Sequence, residues 1–202
     1  MLFIFSIAIL IMSVVIHEFA HGIAALWQGD PTAKLSGRLT LNPIKHIDPV
    51  GSIAVPLICA ILPGSIMFGW AKPVPFNPYN LRNRKWGEAI VAGAGPLSNI
   101  LIALILSLII RFFIPVLSQP VVELFILAIL TNLVLAIFNL VPLPPLDGSK
   151  ILYSLFPAKM SRFIAIFERY GLMFTIIFIF AFVQVLDPII WALFKLLVGD
   201  IG

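Results

Sequence analysis

Long apolar runs separated by shorter polar segments dominate the chain. Five of these runs approach or exceed the roughly 20 apolar residues that an α-helix needs to cross the hydrocarbon core of a bilayer. They cover residues 1–16, 50–70, 89–110, 121–141 and 171–186. One soluble hydrophobic core could not absorb so many long apolar segments, so the pattern predicts an all-α polytopic membrane protein.

The second run differs from the others because helix-breaking residues interrupt it. Pro56, Pro63 and Gly64 do not suit a continuous transmembrane helix, and basic segments flank the run on both sides. A full crossing would place these basic segments in opposite compartments, against the tendency of Lys and Arg to stay on the cytoplasmic side. We therefore predict that residues 50–70 form a re-entrant hairpin and that about four other helices cross the membrane.

The polar segments complete this topology. Basic residues place residues 28–88 and 142–169 on the cytoplasmic side, with both chain termini on the outside. At residues 33–41 a short alternating pattern is punctuated by turn residues, which predicts a short β-like segment at the membrane edge. Residues 159–169 carry apolar positions at helical spacing and are predicted to lie along the interface as an amphipathic helix.

The composition agrees with lipid as the main solvent. Of the 202 residues, 61% are hydrophobic and 11% are charged, whereas soluble domains carry about 25% charged residues. The formal net charge of +4 would suggest a nucleic-acid partner in a soluble protein. Here the basic residues lie next to membrane segments, so we predict contact with the lipid bilayer and no nucleic-acid partner. The single cysteine, Cys59, lies in an apolar run, which excludes a disulfide framework and disfavours a cysteine metal site.

The sequence His17-Glu18-Phe19-Ala20-His21 follows the first apolar run directly. Two histidines four residues apart on a helix project from nearly the same face and can share one cation. Glu18 is displaced by about 100° around the helix, where its carboxylate can take a proton from water beside the metal. Each ionisable side chain inside a membrane costs about 2.5 kcal/mol or more, so we favour a metal site over a structural hydrogen-bonded cluster.

A catalytic zinc ion usually has three protein ligands and one open position. Asp147 is the leading candidate for the third ligand, because three prolines before it unwind the end of the fourth apolar run and aim side chains into a cavity. The alternative role for Asp147 is a helix cap or a turn. Glu88, Glu123 and Asp187 fit less well, since none of them shares the predicted depth of the two histidines.

Two further polar residues have more than one interpretation. Asn99 follows Gly93, Gly95 and Pro96 in a small-residue patch, for which we favour helix packing over direct catalysis; Asn99 alone could contact a ligand or water. His46 could be a spare metal ligand, a gate residue or a turn-stabilising side chain, and we favour the turn.

The motifs HEFAH, GRLTLNPIKHIDPVGS, GWAKPVPFNP, AGPLSN and NLVPLPPLDG follow one another within residues 16–150. They resemble the motifs of the site-2 protease family of intramembrane zinc metalloproteases. HExxH alone is moderately specific, whereas the ordered set in a membrane chain is highly specific. The chain looks like the minimal prokaryotic branch of this family, without PDZ or cystathionine-synthase-like (CBS) domains.

The resemblance implies one Zn²⁺ per chain, held by His17, His21 and Asp147. In the same way it implies that Glu18 is the general base. Asn139, eight positions before the ligand aspartate, matches the asparagine that is expected to stabilise the oxyanion or to position the substrate.

The resemblance also implies an activity and a location. The chain would be a zinc metalloendopeptidase that cleaves membrane-anchored protein substrates within or near their transmembrane segments, in regulated intramembrane proteolysis. It would be a multi-pass protein of the prokaryotic cytoplasmic membrane, with its active site towards the cytoplasmic side. Residues 1–202 would form a single transmembrane protease domain, with a catalytic core at about 1–150 and C-terminal interfacial and transmembrane helices at 151–202.

Two other function classes compete with a protease. A membrane metal-ion transporter could use the same His/Asp cluster, but transport predicts polar residues along a path through both leaflets, and Glu18 is superfluous for carriage. A scaffold protein descended from a protease would be expected to have lost the base or a ligand. All four residues are present, so the sequence favours the enzyme.

Overall fold

The computed structural model describes residues 2–54, 61, 71–156 and 160–199, and all regular structure in these residues is helical. The predicted all-α class is therefore confirmed. The α-helices are α1 (Leu2–Trp27), α2 (Thr32–Leu35), α3 (Gly87–Phe113), α4 (Gln119–Leu140), α5 (Asp147–Leu155), α6 (Ser161–Arg169), α7 (Gly171–Phe182) and α8 (Asp187–Val198). Short 3₁₀ turns lie at Pro43–His46, Pro78–Asn80, Ile114–Val116 and Val183–Val185, and a π-helical segment lies at Pro49–Ala54.

Three of the described helical segments are long and apolar enough to cross a membrane. They are Ile4–Trp27, Gly87–Val116 and Gln119–Leu140. The pair Arg162–Arg169 and Gly171–Phe180 is bent by 56° and adds a fourth span if the two helices are one broken crossing. This result agrees with the prediction of about four transmembrane helices.

Helix α3 lies at the centre of the fold and packs against α1, α4, α5 and α8. Towards its C-terminal end it meets α4 and α8 in a patch of buried apolar side chains, which we call the apolar cluster. The apolar cluster consists of Ala103, Ile110, Ile129, Leu133, Ile190 and Val198. Towards its N-terminal end, α3 meets α1 and α5. The polar side chains of the candidate metal centre lie in this region.

The predicted β-like segment at residues 33–41 is wrong. Thr32–Leu35 form one helical turn, and turns and irregular structure follow it. The Asp30 carboxylate accepts hydrogen bonds from the backbone N–H and the hydroxyl of Thr32, at 3.2 and 2.5 Å. Such local side-chain bonds favour the start of a helical turn over extended structure. Ala33 is fully buried in this turn, so the turn packs against the rest of the fold.

Most of the predicted re-entrant hairpin, including Cys59, lies outside the described residues. The two flanks of the segment are described and are joined to each other. Lys72 N–H donates to the backbone oxygen of His46 at 2.9 Å. The guanidinium of Arg38 donates to the backbone oxygens of Lys45 and Lys72. These contacts bring the flanks side by side, whereas the ends of a crossing helix lie about 30 Å apart.

Candidate metal centre

Helix α1 carries the two histidines on one face, as their spacing predicted. The imidazole rings of His17 and His21 meet edge to face, with centroids 4.6 Å apart. His17 is 6% exposed, and the Nε2 atoms of both rings point towards the start of α5, as their contacts with Asp147 show. Two neutral imidazoles so arranged can coordinate the same cation.

Asp147, the first residue of α5, meets both rings. Its Oδ2 lies 3.0 Å from His17 Nε2 and 3.3 Å from His21 Nε2. The three residues offer ligand atoms that all lie within 4.8 Å of one another. Within residues 2–54, 61, 71–156 and 160–199, no other set of three or more His, Cys, Asp or Glu side chains comes close enough to share an ion. The structure thus brings together the three residues that the sequence singled out as ligands.

The local sequence explains how Asp147 reaches the histidines. Helix α4 ends at Leu140, where prolines in the following segment cannot continue the helical hydrogen bonds. A β carbon added at Gly148 would overlap the backbone oxygens of Leu140 and Val141. Only glycine therefore lets the start of α5 pack directly on the end of α4, and this contact sets the position of Asp147.

Gly95 of α3 keeps the space next to the two rings open. A β carbon at this position would lie 2.5 Å from His21 Nε2 and 2.6 Å from His17 Nε2. The absence of a side chain therefore leaves room at the point where the two Nε2 atoms converge. The donor set and this space together fit a zinc ion, which binds imidazole nitrogen and carboxylate oxygen in tetrahedral geometry.

The other nitrogen of each ring already has a hydrogen-bond partner. His17 Nδ1 lies 2.6 Å from Asn99 Oδ1, and His21 Nδ1 lies 2.7 Å from the backbone oxygen of Val91. Both partners are acceptors, so each Nδ1 carries a hydrogen. Each Nε2, which faces the Asp147 carboxylate, is therefore the nitrogen left for a metal. Ligating histidines in metal sites commonly have such a second partner.

Glu18 lies in the same turn of α1 as the histidines, and a backbone N–H group holds its carboxylate. Its Oε2 accepts a hydrogen bond from Val74 N–H at 2.7 Å. Arg38 fixes the residues just before Val74, because its guanidinium donates to the backbone oxygens of Lys72 at 2.7 Å and Pro73 at 3.4 Å. This arrangement restricts the rotation of the Glu18 carboxylate through Oε2, and Oε1 is the oxygen that the Val74 contact leaves for a proton.

Asp30 fixes the same loop from the end of α1. Its fully buried carboxylate accepts hydrogen bonds from Asn77 N–H at 2.6 Å and from the Asn80 amide at 2.8 Å. Burial raises the pKa of Asp30, but the hydrogen bonds from Thr32, Asn80 and Asn77 outweigh it and leave the pKa below its ordinary value. Asp30 is thus an ionised anchor for the segment that carries Val74.

Two residues considered in the sequence analysis lie outside the group of three ligand candidates. Asn139 is near the end of α4, where its amide donates to the backbone oxygen of Leu135 at 2.9 Å. His46 is buried and donates from Nε2 to the backbone oxygen of Thr40 at 2.9 Å. That contact is the turn-stabilising one that we favoured for His46.

Two residues that bond to Asn99, namely Asn132 and Ser13, were not predicted from the sequence. Asn132 was not singled out, although an amide in the middle of an apolar run is costly in a bilayer and could have signalled an internal contact. Ser13 gave no signal of its own. Asn99, which the sequence left open as a possible contact of a ligand, reaches the His17 ring directly.

Comparisons with known proteins give an independent result. The family described as peptidase family M50 matches residues 114–183. The "Putative zinc metalloprotease YwhC" of Bacillus subtilis is 39% identical over 183 residues, covering 84% of this chain and 78% of that protein. Rip2 of Mycolicibacterium smegmatis, described in the same words, is 30% identical over 179 residues, covering 87% of this chain and 66% of Rip2. Rip2 of Mycobacterium tuberculosis is 28% identical over 180 residues, covering 89% and 68%. No solved structure matches the chain.

The cofactor follows from these matches together with the geometry. The relatives are described as zinc metalloproteases, and the structure offers two imidazoles and a carboxylate that could hold one metal ion. The prediction of a Zn²⁺ cofactor is therefore confirmed.

Proposed function

This chain belongs to peptidase family M50, the site-2 proteases, and on that premise we propose that it is an intramembrane zinc metalloendopeptidase. It hydrolyses peptide bonds within or near the transmembrane segments of membrane-anchored proteins. The observation that carries the proposal is the convergence of three ligand atoms within 4.8 Å, beside a carboxylate that backbone holds in place. A binding or structural role would need the cluster but not the adjacent base.

We assign the zinc ligands to His17 Nε2, His21 Nε2 and Asp147 Oδ2, for one ion per chain. Three protein ligands leave the fourth tetrahedral position open, which distinguishes catalytic from structural zinc sites. The partial burial of the cluster supports this assignment, because a site withdrawn from the surrounding solvent strengthens electrostatic interactions with the substrate.

When bound, zinc supplies Lewis acidity towards water and towards the scissile carbonyl. Glu18 takes the proton from the attacking water and passes it to the leaving amine. The Val74 N–H holds Oε2, so we assign Oε1 as the proton acceptor. This hydrogen bond also limits the rotation of the carboxylate, so that less freedom is lost in the transition state.

Asn139 remains a candidate for oxyanion stabilisation or substrate positioning. A carboxamide has two N–H donors, and one of them bonds to the backbone oxygen of Leu135. The second donor is the one we assign to the substrate. Asn139 lies one residue before the end of α4, in the helix that leads to Asp147, and this position supports the role.

The setting of the enzyme follows from its charge distribution. Basic residues concentrate in the segments after α1 and before α3, and this pattern favours a cytoplasmic location for the active site in a multi-pass cell-membrane protein. The substrates are single-span membrane proteins, for example anti-sigma factors or signal-peptide remnants, and their cleavage is regulated intramembrane proteolysis.

The test is cleavage of a panel of single-span substrates by purified protein in liposomes. We expect Glu18→Gln to keep its zinc and to lose activity by about 100- to 10,000-fold, as general acid–base catalysis contributes. A zinc chelator should abolish cleavage by the wild type. Glu88→Gln is the matched control, since this carboxylate lies at the start of α3 and should leave cleavage unchanged.

The same preparations separate the competing functions. Equal cleavage by wild type, Glu18→Gln and chelated protein would remove the enzymatic proposal. Metal flux into liposomes that persists in Glu18→Gln, without cleavage of any substrate by the wild type, would instead support the transporter.

A further inference from the structure

Three buried polar side chains connect His17 to the neighbouring helices. His17 Nδ1 lies 2.6 Å from Asn99 Oδ1 on α3. Asn99 Nδ2 donates to Asn132 Oδ1 on α4 at 2.7 Å and to the backbone oxygen of Ser13 on α1 at 3.3 Å. Asn132 Nδ2 donates to Ser13 Oγ and to the backbone oxygen of Ala128, both at 2.9 Å. Ser13, Asn99 and Asn132 are 4%, 0% and 1% exposed.

These contacts fix the orientation of both amides. Every N–H of the two carboxamides has an acceptor, and each Oδ1 faces a donor. If the Asn99 amide flipped, its oxygen would face Asn132 Oδ1, so that two acceptors would meet without a hydrogen. Asn132 cannot flip to compensate, because its own N–H groups are bound to Ser13 and Ala128.

The orientation of Asn99 determines the tautomer of His17. With Asn99 Oδ1 facing the ring, Nδ1 carries a hydrogen, and Nε2 is the nitrogen that can give its lone pair to a metal. With the amide reversed, an N–H donor would face Nδ1, and the hydrogen would move to Nε2. A metal could then bind Nε2 only if that hydrogen left the ring, so the reversed amide would weaken this ligand.

We propose that Asn132 is a positioning residue of the metal centre: acting through Asn99, it holds His17 in the tautomer that can bind zinc. The inference rests on the proposed function in one respect, namely that His17 is a ligand. Amide bonds between helices also stabilise membrane proteins. A purely structural Asn132 would, however, change stability and leave both the tautomer and the metal affinity unchanged.

His21 provides an internal reference for this distinction. Its Nδ1 donates to the backbone oxygen of Val91, and a backbone carbonyl cannot be exchanged for a donor by rotation of a side chain. A loss of Asn132 should therefore affect the tautomer of His17 and leave that of His21 unchanged.

The experiment compares wild type and Asn132→Leu, a substitution of similar size that removes the amide. In metal-free protein in nanodiscs, ¹⁵N NMR of the histidine rings should show a new population of His17 that has lost the hydrogen on Nδ1, with His21 unchanged. Zinc affinity, measured by competition with a chelator, should fall about tenfold or more, the loss typical of outer-shell partners of metal ligands. The Co²⁺-loaded variant should show an altered visible absorption spectrum.

Thr131→Val is the matched control, because Thr131 precedes Asn132 on α4 and its hydroxyl donates to the backbone oxygen of Leu127, within its own helix. It should leave the tautomers and the zinc affinity at their wild-type values. Should Asn132→Leu fail to fold, Ser13→Ala removes one acceptor of the Asn132 amide and should shift the same two readouts by a smaller amount. Unchanged His17 tautomer and unchanged zinc affinity in the folded variants would overturn the proposal.

These readouts do not depend on proteolysis. If the wild type cleaves no substrate but Asn132→Leu binds zinc more weakly with an altered His17 tautomer, the positioning role stands and the proposed function fails. If cleavage depends on Glu18 while Asn132→Leu binds zinc normally, the proposed function stands and the positioning role is wrong.

Discussion

The two halves of α3 lie in different surroundings and are held in different ways. The first half, up to Asn99, contacts the histidines of α1 through directional hydrogen bonds and through the close approach at Gly95. The second half, from Ala103 onward, packs with α4 and α8 in the apolar cluster. Its buried Ser107 bonds to the backbone oxygen of Ala103, within its own helix, whereas Asn99 bonds across helices.

This difference indicates how one membrane helix can serve two purposes. Lipid tails are as apolar as the side chains of the apolar cluster, so association there depends on van der Waals packing between helices. At the other end, buried polar groups must find partners, and these partners specify where each atom lies. Substitutions at the positions of the first half that contact the histidines should therefore affect metal binding, and substitutions of buried residues in the second half should affect stability.

The largest expected effect is at Gly95. In Gly95→Ala the new methyl group would lie 2.5–2.6 Å from the Nε2 atoms of both histidines, so it would occupy the space next to the ligands. We expect zinc affinity to fall by at least about 100-fold, measured by competition with a chelator. Gly93→Ala is the matched control on the same helix, since its new methyl group would meet Ile151 Cδ1 at 3.9 Å, an ordinary van der Waals contact. Equal zinc affinity in the two variants would contradict the account.

The next largest effect is a loss of stability on substitution in the apolar cluster. Ile129 is fully buried there, and Ile129→Ala should lower the free energy of unfolding by about 2–5 kcal/mol through lost packing and a residual cavity. Unfolding in detergent micelles measures this change, and zinc affinity of the folded protein should remain at the wild-type value. Val134→Ala is the control on the same helix, because Val134 is exposed on the helix surface. A large loss of zinc affinity in Ile129→Ala would show that the two ends of α3 are not separable.

How far the sequence predicts this molecule depends on the range of the interaction concerned. The spacing of His17 and His21 is a local helical property, and the prolines before Asp147 mark the end of a helix, so both could be interpreted from the sequence. The prediction of a β-like segment at residues 33–41 failed because a local contact, the Asp30 carboxylate on Thr32, favours a helical turn. Alternation alone did not reveal that contact.

The partners of the ligands could not be predicted in the same way. Asn132 and Ser13 are 119 positions apart, and whether two such side chains meet depends on the rotation and depth of two separate helices. The motif containing Asn99 indicated a close helix contact, which Gly95 makes, but not the ring that Asn99 would face. These properties belong to tertiary packing, and neither hydrophobic periodicity nor motif spacing specifies them.

A smaller effect concerns the loop that carries Val74. The pKa of Asp30 is lowered by its hydrogen bonds, so the folded state binds this proton less tightly than the unfolded state. The anchoring by Asp30 is therefore fully present above the ordinary aspartate pKa of about 3.9, and it is lost as the pH falls through the lower folded-state value. We expect hydrogen exchange at the Asn77 amide, corrected for its intrinsic rate, to lose protection over that range.

The matching variant is Asp30→Asn, which has no charge to titrate. Its Asn77 amide should be less protected at neutral pH and should show no further loss at acidic pH. The amide of Ile110, in the apolar half of α3, serves as the internal control and should not follow the titration. If the Asn77 amide in Asp30→Asn lost protection with pH as it does in the wild type, Asp30 would not be the anchor of this loop.

The smallest effect is expected for an ion pair outside both halves of α3. Lys150 Nζ and Glu168 Oε1 are 2.5 Å apart, with side chains 39% and 42% exposed. Exposed pairs of this kind contribute about 0.2–1 kcal/mol, so Glu168→Gln should shift unfolding by no more than that and should leave zinc binding unchanged. A double-mutant cycle with Lys150→Gln measures the pair directly, and a coupling energy of several kcal/mol would contradict this estimate.

X-ray absorption at the zinc K-edge reports the atoms that surround the metal, so it tests whether His17, His21 and Asp147 bind one zinc ion. For protein loaded with one equivalent of zinc, the account predicts two imidazole nitrogens at about 2.0–2.1 Å and carboxylate oxygen at about 2.0–2.2 Å, with no sulfur. The imidazole signal should decrease in His21→Ala, whereas in Asp147→Ala it should keep its intensity while the first-shell distances change. A sulfur shell at about 2.3 Å, or a spectrum that neither substitution changes, would contradict the account.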